Sequence, residues 1–225
     1  MLVNKLPLVN DVWLVFSKEV LCEFRTRYAV SALIMFALVM LSSISMAIGA
    51  AVLSDELIAS LLWVTIFFCA MTGLSRVFVQ ELESGTLFTL RIYLRSQAIL
   101  LGKMLFNITL LLGLTCFIIP LFIIFLNADF RLWGIFAVVL VLGDIGIGAV
   151  STLTAAIVTS TQGKHSLFTV LTFPILLPQF LGVIHATVTI LSERQPSVNE
   201  VVFMAGYDAA VIAVSCMLFE FLWYD

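Results

Sequence analysis

The sequence predicts an all-α integral membrane protein, and two observations lead to this prediction. The first is composition: 62% of the 225 residues are hydrophobic and 11% are charged, with a mean hydropathy of +1.18. Soluble domains average roughly 45–50% apolar and about 25% charged residues. The second is the presence of apolar stretches that are too long for the strands of a membrane barrel. Backbone groups cannot stay unpaired in hydrocarbon, so these stretches are expected to be helices.

Six stretches are long enough to cross a bilayer, which requires about 20 apolar residues. They are called spans 1 to 6 and cover residues 28–50, 57–78, 101–126, 132–158, 166–191 and 201–223. The chain therefore divides into an N-terminal segment, residues 1–27, and a six-helix membrane domain, residues 28–225. This length leaves no room for a sizeable soluble domain.

The distribution of basic residues predicts the orientation. Nine of the eleven lysines and arginines lie before span 1, around the connection between spans 2 and 3, or between spans 4 and 5. Only Arg131 and Arg194 lie on the other side. By the positive-inside rule, both termini are cytoplasmic. A net charge of −3 gives no reason to expect a nucleic-acid partner.

Residues 8–27 form an amphipathic pattern without the features of a cleaved signal peptide. We expect a helix in the inner membrane interface, with its apolar side in lipid. A simple topological anchor and an elbow helix that leads into span 1 of a transporter both remain open. The polar side consists of Asp11, Lys18, Glu19, Arg25 and Arg27.

The connection between spans 2 and 3, "RVFVQELESGTLFTLRIYL", is unusually charged. Glu81 and Glu83 are expected to be solvated, and Gly85 can end a first helix. Ser84 or Thr86 then caps a second, short helix. That helix places Leu87, Leu90 and Leu94 on one side, where lipid or another protein is expected to cover them. A solvated hairpin is the alternative.

Polar residues also lie within the spans. In span 4, Asp144 begins a face of small and polar residues at every fourth position, which predicts close helix packing; a translocation surface is the alternative. Asp208 lies in span 6. An ionisable group in mid-membrane is a functional candidate, although a neutral, hydrogen-bonded aspartate is a competing interpretation for Asp144. Pro174 and Pro178 are expected to kink span 5.

No catalytic or metal-binding constellation is evident. There is no P-loop and no HExxH motif, so ATP is not expected to bind through a P-loop in this chain. The four cysteines form no CxxC pair and are expected to be packing residues. His185 is a lone histidine near an interface, where a packing role is favoured over a metal or haem ligand. We therefore expect no directly bound cofactor.

Several segments, in this order and spacing, resemble the CcmB family of ABC-2-type membrane subunits. They are "KEVLCEFRTR", "FVQELESGTLFTL", "GKMLFN", "FPILLPQFLGV" and "YDAA…LFEFLWYD". The resemblance implies a non-catalytic permease subunit of the bacterial cytoplasmic (inner) membrane that serves cytochrome c maturation. Asp144 and His185 depart from the family pattern, which argues against a haem role for His185.

The resemblance also implies partners. A separate ATPase, CcmA, supplies ATP hydrolysis, and two permease copies pair with two ATPases. CcmC, the small CcmD and the haem chaperone CcmE complete the system. Haem is the candidate substrate, exported directly or released on CcmE, and it stays open whether this subunit itself moves haem. The residues assigned to ATPase coupling are Glu81, Glu83, Gly85, Thr86, Leu87, Leu90 and Arg91.

Two alternative functions remain at this point. In the first, the chain forms one half of an ABC-2-type exporter for a lipid, glycan or drug. In the second, it is a non-transporting scaffold that gates haem-handling partners. Short outer loops and the motifs of spans 5 and 6 favour the cytochrome c maturation subunit over the first alternative.

Overall fold

The computed structural model describes residues 8–49, 53–74, 78, 81, 90, 93–126, 128–160 and 166–224. Within these ranges the chain forms seven helices and no strand. The helices are α1 (Leu8–Thr26), α2 (Tyr28–Ile48), α3 (Asp55–Leu74), α4 (Ser96–Leu126), α5 (Trp133–Ser160), α6 (Ser166–Leu191) and α7 (Val198–Tyr224).

Helices α2 to α7 are each long and apolar enough to cross a membrane, so the prediction of an all-helical protein with six spans is confirmed. Three of the observed helices, α3, α4 and α7, begin earlier than predicted. Helix α3 begins at Asp55, where Asp55 and Glu56 place negative charge in the first turn and interact favourably with the helix dipole. Helix α4 begins at Ser96, five residues before the predicted span, and Lys103 near its start has carboxylate partners.

Helix α5 is the centre of the bundle and packs against α3, α4, α6 and α7. Glycines allow these close approaches. A Cβ on Gly143 would overlap the ring of Trp63 on α3, and one on Gly148 would lie 2.7 Å from Cγ1 of Ile108 on α4. The packing of α5 therefore depends on positions without a side chain.

Buried hydrogen bonds join α5 to its neighbours. Asn107 donates from Nδ2 to Oγ1 of Thr152 over 2.8 Å, and the Thr115 hydroxyl donates to Oδ1 of Asp144 over 3.0 Å. With Gly148 between them, Asp144 and Thr152 form the face that the sequence predicted, and it packs closely against α4. On another side, the hydroxyls of Thr154 and Thr172 are 2.8 Å apart and connect α5 to α6.

Successive spans run in opposite directions, so the bundle has two distinct ends. The end at which α2 and α4 begin also holds α1 and is called the α1 end. At the opposite end, Ser192 donates to Oδ2 of Asp55 over 3.0 Å, and Arg131 pairs with Glu193. These contacts bring the connection between α4 and α5 close to the one between α6 and α7.

The predicted N-terminal helix is present as α1, but its buried side includes polar residues and its exposed side includes apolar ones. Asp11, Val15 and Glu19 face inward and are buried, while the exposed side includes apolar residues. Glu19, one of the polar residues of the amphipathic pattern, is paired with lysines inside the bundle. The exposed apolar residues include Val9, Trp13, Leu14, Leu21 and Phe24.

Helix α6 contains Pro174 and Pro178 within one continuous helix. The hydroxyl of Tyr207 on α7 donates to the backbone carbonyl of Ile175, between the two prolines. This contact fixes α7 against the part of α6 where proline removes backbone donors. The expected kink in α6 stays a prediction.

Candidate functional site

Four charged side chains meet at the α1 end of the bundle. Lys103 on α4 places Nζ 2.7 Å from Oε1 of Glu19 and 3.0 Å from Oε1 of Glu81. Lys18 places Nζ 3.2 Å from the same oxygen of Glu19 and also pairs with Oε1 of Glu81. We call Lys18, Glu19, Glu81 and Lys103 the ion cluster. It contains two positive and two negative groups, and each carboxylate is shared by both lysines.

The ion cluster joins three separate parts of the chain. Lys18 and Glu19 belong to α1, Glu81 to the connection between α3 and α4, and Lys103 to α4. Backbone packing holds α1 beside α4, since a Cβ on Gly102 would lie 2.6 Å from Cβ of Val15. The cluster therefore attaches both the N-terminal helix and the charged connection to the start of the third span.

Aromatic contacts also hold the connection between α3 and α4. Lys103 Nζ lies 5.0 Å from the ring centroid of Phe78, within the range of a cation–π interaction. The Phe78 ring in turn packs against Phe219 near the end of α7, with centroids 5.7 Å apart. Phe78, at the start of the connection, thus lies between Lys103 of α4 and Phe219 of α7.

Three members of the ion cluster are buried and Lys18 is half-buried, and mutual pairing makes the burial of these charges tolerable. Lys103 is 1% exposed and Glu81 is 3% exposed. Burial alone would raise the pKa of Glu81, but the charges and hydrogen bonds of Lys103 and Lys18 outweigh it and lower that pKa. Burial likewise opposes charging of Lys18, yet Glu19 and Glu81 raise its pKa above the ordinary value.

Only part of the predicted coupling segment lies within the described residues. The expectation that Glu81 is solvated is wrong, because its carboxylate lies between two lysines. Leu90 is half-buried and packs against the hydrophobic core, so part of the cover expected for the leucines comes from the chain itself. The other predicted coupling residues lie outside the described ranges: Glu83, Gly85, Thr86, Leu87 and Arg91.

Sequence reasoning missed three of the four residues of the cluster as a site. The sequence pattern identifies Lys18 and Glu19 only as polar residues of the N-terminal helix, and Lys103 only as one of the basic residues that indicate orientation. One signal was available. Lys103 lies inside a long apolar stretch, "ILLGKMLF", and a cation in that setting needs a carboxylate partner.

The two intramembrane carboxylates lie at different contacts of α5: Asp144 belongs to α5 and faces α4, whereas Asp208 belongs to α7. Asp144 is fully buried toward α4 and accepts a hydrogen bond from Thr115. Asp208 on α7 is 4% exposed and approaches α5 at Gly146. They are not brought together with the ion cluster. Buried ionisable residues are thus found both at the α1 end and in the middle of the bundle.

His185 lies at the opposite end of the bundle. It is exposed, and its Nδ1 is 3.3 Å from Oε1 of Glu200. Within the described part of the chain, no group of three or more His, Cys, Asp or Glu side chains is placed to hold a metal ion. The four cysteines are free thiols.

Six spans with a charged connection fixed beside an N-terminal helix define a multi-pass α-helical membrane protein. The family model described as CcmB protein matches residues 10–220, and the chain belongs to the CcmB family. The family resemblance found in the sequence is therefore confirmed. No curated protein matches the chain.

Membership of this family implies an ABC-type membrane subunit for cytochrome c maturation and haem export. Subunits of this kind are generally non-catalytic permeases, and a separate subunit hydrolyses ATP. The family also implies a complex with the ABC ATPase CcmA and other Ccm proteins.

Proposed function

We propose that the chain couples ATP hydrolysis by a CcmA-like ATPase to haem export, or to release of a haem-loaded CcmE-like chaperone. It does so as the permease subunit of a complex in the bacterial cytoplasmic membrane. The distribution of basic residues supports cytoplasmic termini, which puts the α1 end on the side where ATP is available. CcmC-like and CcmD-like proteins and a second permease copy complete the proposed complex.

The observation that carries this proposal is the ion cluster. The connection between α3 and α4 is the proposed docking segment, and Glu81 within it is paired with Lys103 of α4 and Lys18 of α1. A buried Glu81 is poorly placed to contact the ATPase. Its proposed role is to transmit movement, while residues further along the connection, such as Leu87 and Arg91, contact the ATPase.

The proposed path of movement continues from the ion cluster into the bundle. Displacement of the docking segment pulls Glu81 and, through two ion pairs at 3.0 and 2.7 Å, also Lys103 and Glu19. Helix α4 is joined to the central helix α5 by the hydrogen bonds of Asn107 and Thr115. Movement at the α1 end can thus reach α5 through directional contacts rather than apolar contact alone.

In this proposal, α1 lies in the inner interface of the membrane as an elbow helix. Its inward side is bound to α4, and its exposed side carries large apolar residues such as Trp13 and Phe24. Lipid is the natural cover for such a surface on a membrane protein. The ion cluster would then also connect the docking segment to a helix held by the membrane surface.

The docking segment is tested by introducing a charge into it. The complex is purified through a tag on this chain, and the amount of ATPase that co-purifies is measured. We expect Leu87→Asp to abolish co-purification, because an aspartate would be placed in an apolar contact. Val198→Asp introduces the same charge at an exposed position of the opposite end and should retain the ATPase. Full retention in Leu87→Asp would contradict the docking proposal.

A further inference from the structure

Asp208 lies where three helices meet in the middle of the bundle. From α7 it faces Gly146 of α5, and a Cβ on that glycine would be 2.7 Å from Oδ1 of Asp208. The same position would be 2.9 Å from Cγ and 3.1 Å from Nε2 of Gln179 on α6. Glycine at position 146 therefore creates the space in which the carboxylate and the amide come close to each other.

The polar atoms at this point are not mutually satisfied. Gln179 donates from Nε2 to the backbone carbonyl of Leu142 on α5 over 3.2 Å, which leaves Oε1 as an acceptor without a donor among the described residues. Both carboxylate oxygens of Asp208 likewise lack a donor there. Gln179 is fully buried and Asp208 nearly so. Oε1 of Gln179 and both oxygens of Asp208 are therefore buried acceptors without a donor among the described residues, at the junction where Gly146 leaves space.

No cation of the surrounding helices neutralises Asp208. Helices α5, α6 and α7 contain no lysine or arginine, and the lysine of α4, Lys103, belongs to the ion cluster. The titratable groups of the same helices are engaged elsewhere or lie further away. They are Asp144, which faces Thr115; His185 and Glu200, which pair at the opposite end; Tyr207, which donates to Ile175; and Cys216 and Glu220, two or more turns along α7.

We propose that Asp208 is a proton-binding site and carries a proton while α5, α6 and α7 are packed together. An ionised carboxylate and an amide oxygen can only accept hydrogen bonds, whereas a protonated carboxyl also donates one. A single bound proton therefore removes the buried charge and makes Asp208 a donor, for which the unsatisfied Oε1 of Gln179 is the proposed acceptor at the same junction. Burial of an isolated carboxylate is costly enough that neutralisation is the expected outcome.

Proton release is then linked to opening of this interface. Loss of the proton leaves a charge that only water or a cation can stabilise, so the deprotonated form favours separation of α6 and α7 from α5. Gly146 keeps the resting arrangement compact. The site is independent of the ion cluster and of the ATPase, and its protonation can be measured on this chain alone.

Infrared difference spectroscopy of the full chain in lipid nanodiscs measures this proton directly. The carbonyl stretch of a protonated carboxylic acid is distinct from that of a carboxylate and shifts in D₂O. At neutral pH we expect a protonated component that Asp208→Asn removes and that the matched control Asp144→Asn retains. Retention of every protonated component in Asp208→Asn would overturn the proposal, as would a component that disappears on addition of sodium.

A second variant keeps the test decisive if Asp208→Asn folds poorly. Gln179→Leu preserves the carboxyl but removes its acceptor, so the same component is expected to persist at a shifted frequency. An unshifted component in Gln179→Leu would overturn the pairing with Gln179. Absence of any protonated component in the unsubstituted chain at neutral pH would overturn the proton site itself.

Discussion

Two buried polar regions of the molecule manage charge in different ways. In the ion cluster, Lys103 and Lys18 neutralise two carboxylates, with Lys103 within 2.7 and 3.0 Å of its partners. In the middle of the bundle, Asp208 has neither a cation nor a donor among the described residues. The ion cluster depends on partners from distant parts of the chain, whereas Asp208 is proposed to be neutralised by a bound proton. Single substitutions should therefore affect the two regions differently.

The largest expected effect is that of Lys103→Met. The change leaves Glu19 and Glu81 buried beside each other, with Lys18 as the remaining lysine of the ion cluster. Removing one member of a buried ion pair typically costs about 3–5 kcal/mol, and we expect a loss of this size in the free energy of unfolding. Thermal or denaturant unfolding in detergent measures it.

The control for this change is Arg131→Met at the opposite end. Arg131 pairs with Glu193, but both side chains are largely exposed. Such pairs contribute roughly 0–1 kcal/mol. Equal losses for Lys103→Met and Arg131→Met would contradict the contrast between buried and exposed pairs.

Gly102→Ala tests whether α1 must lie directly against α4. The added Cβ would be 2.6 Å from Cβ of Val15 and 2.9 Å from the carbonyl of Val12, so α1 has to shift. Overpacking of this kind costs about 1–3 kcal/mol.

Gly113→Ala is the matched control on the same helix, because nothing lies within 4 Å of its Cβ position. It should be neutral or stabilise by roughly 0.5–1 kcal/mol. Two alanine variants of equal stability would rule out this account of the α1–α4 contact.

Neutralising one carboxylate in each region compares them directly. Glu81→Gln leaves Lys103 and Lys18 to share the single charge of Glu19, and we expect a loss of about 1–3 kcal/mol in the free energy of unfolding. Asp208→Asn resembles the protonated form of the aspartate and should change the free energy of unfolding by less than about 1 kcal/mol. The comparison fails if Asp208→Asn is the more damaging of the two in the same unfolding assay.

The smallest expected effect is the response of α1 to pH. The pKa of Glu81 is lowered from 4.5, so its contribution is present above that value and is lost as pH falls through the lowered pKa. The pKa of Lys18 is raised from 10.5, so its contribution is present below that value and is lost as pH rises through the raised pKa. We expect α1 to stay docked between these limits.

Spin labels at the exposed positions Leu21 and Leu105 measure the separation of α1 from α4 across this range. The distance should increase only at the two extremes, and Glu81→Gln should weaken the response at acidic pH. A distance that changes around neutral pH would assign the response to other groups.

The six spans could be predicted because each apolar stretch specifies its own burial in lipid. The close packing of Asp144, Gly148 and Thr152 against α4 could be predicted because their four-residue spacing is local. The ion cluster could not, since its pairs join residues 63 and 84 positions apart. The pattern of α1 identified a helix, but periodicity does not distinguish a polar face that meets water from one that meets lysines.

The central claim is that the ion cluster transmits ATP-driven movement from the docking segment to the bundle. Each of its four ion pairs joins one lysine and one glutamate, so inverting all four residues preserves every pair, whereas Lys103→Glu alone destroys two. The measurement is ATP-dependent release of the haem-loaded chaperone from purified complexes that retain the ATPase. We expect Lys103→Glu to reduce release at least about tenfold, equivalent to roughly 1.4 kcal/mol, and the fourfold inversion to recover most of it. Release at the unsubstituted rate in Lys103→Glu would contradict the claim.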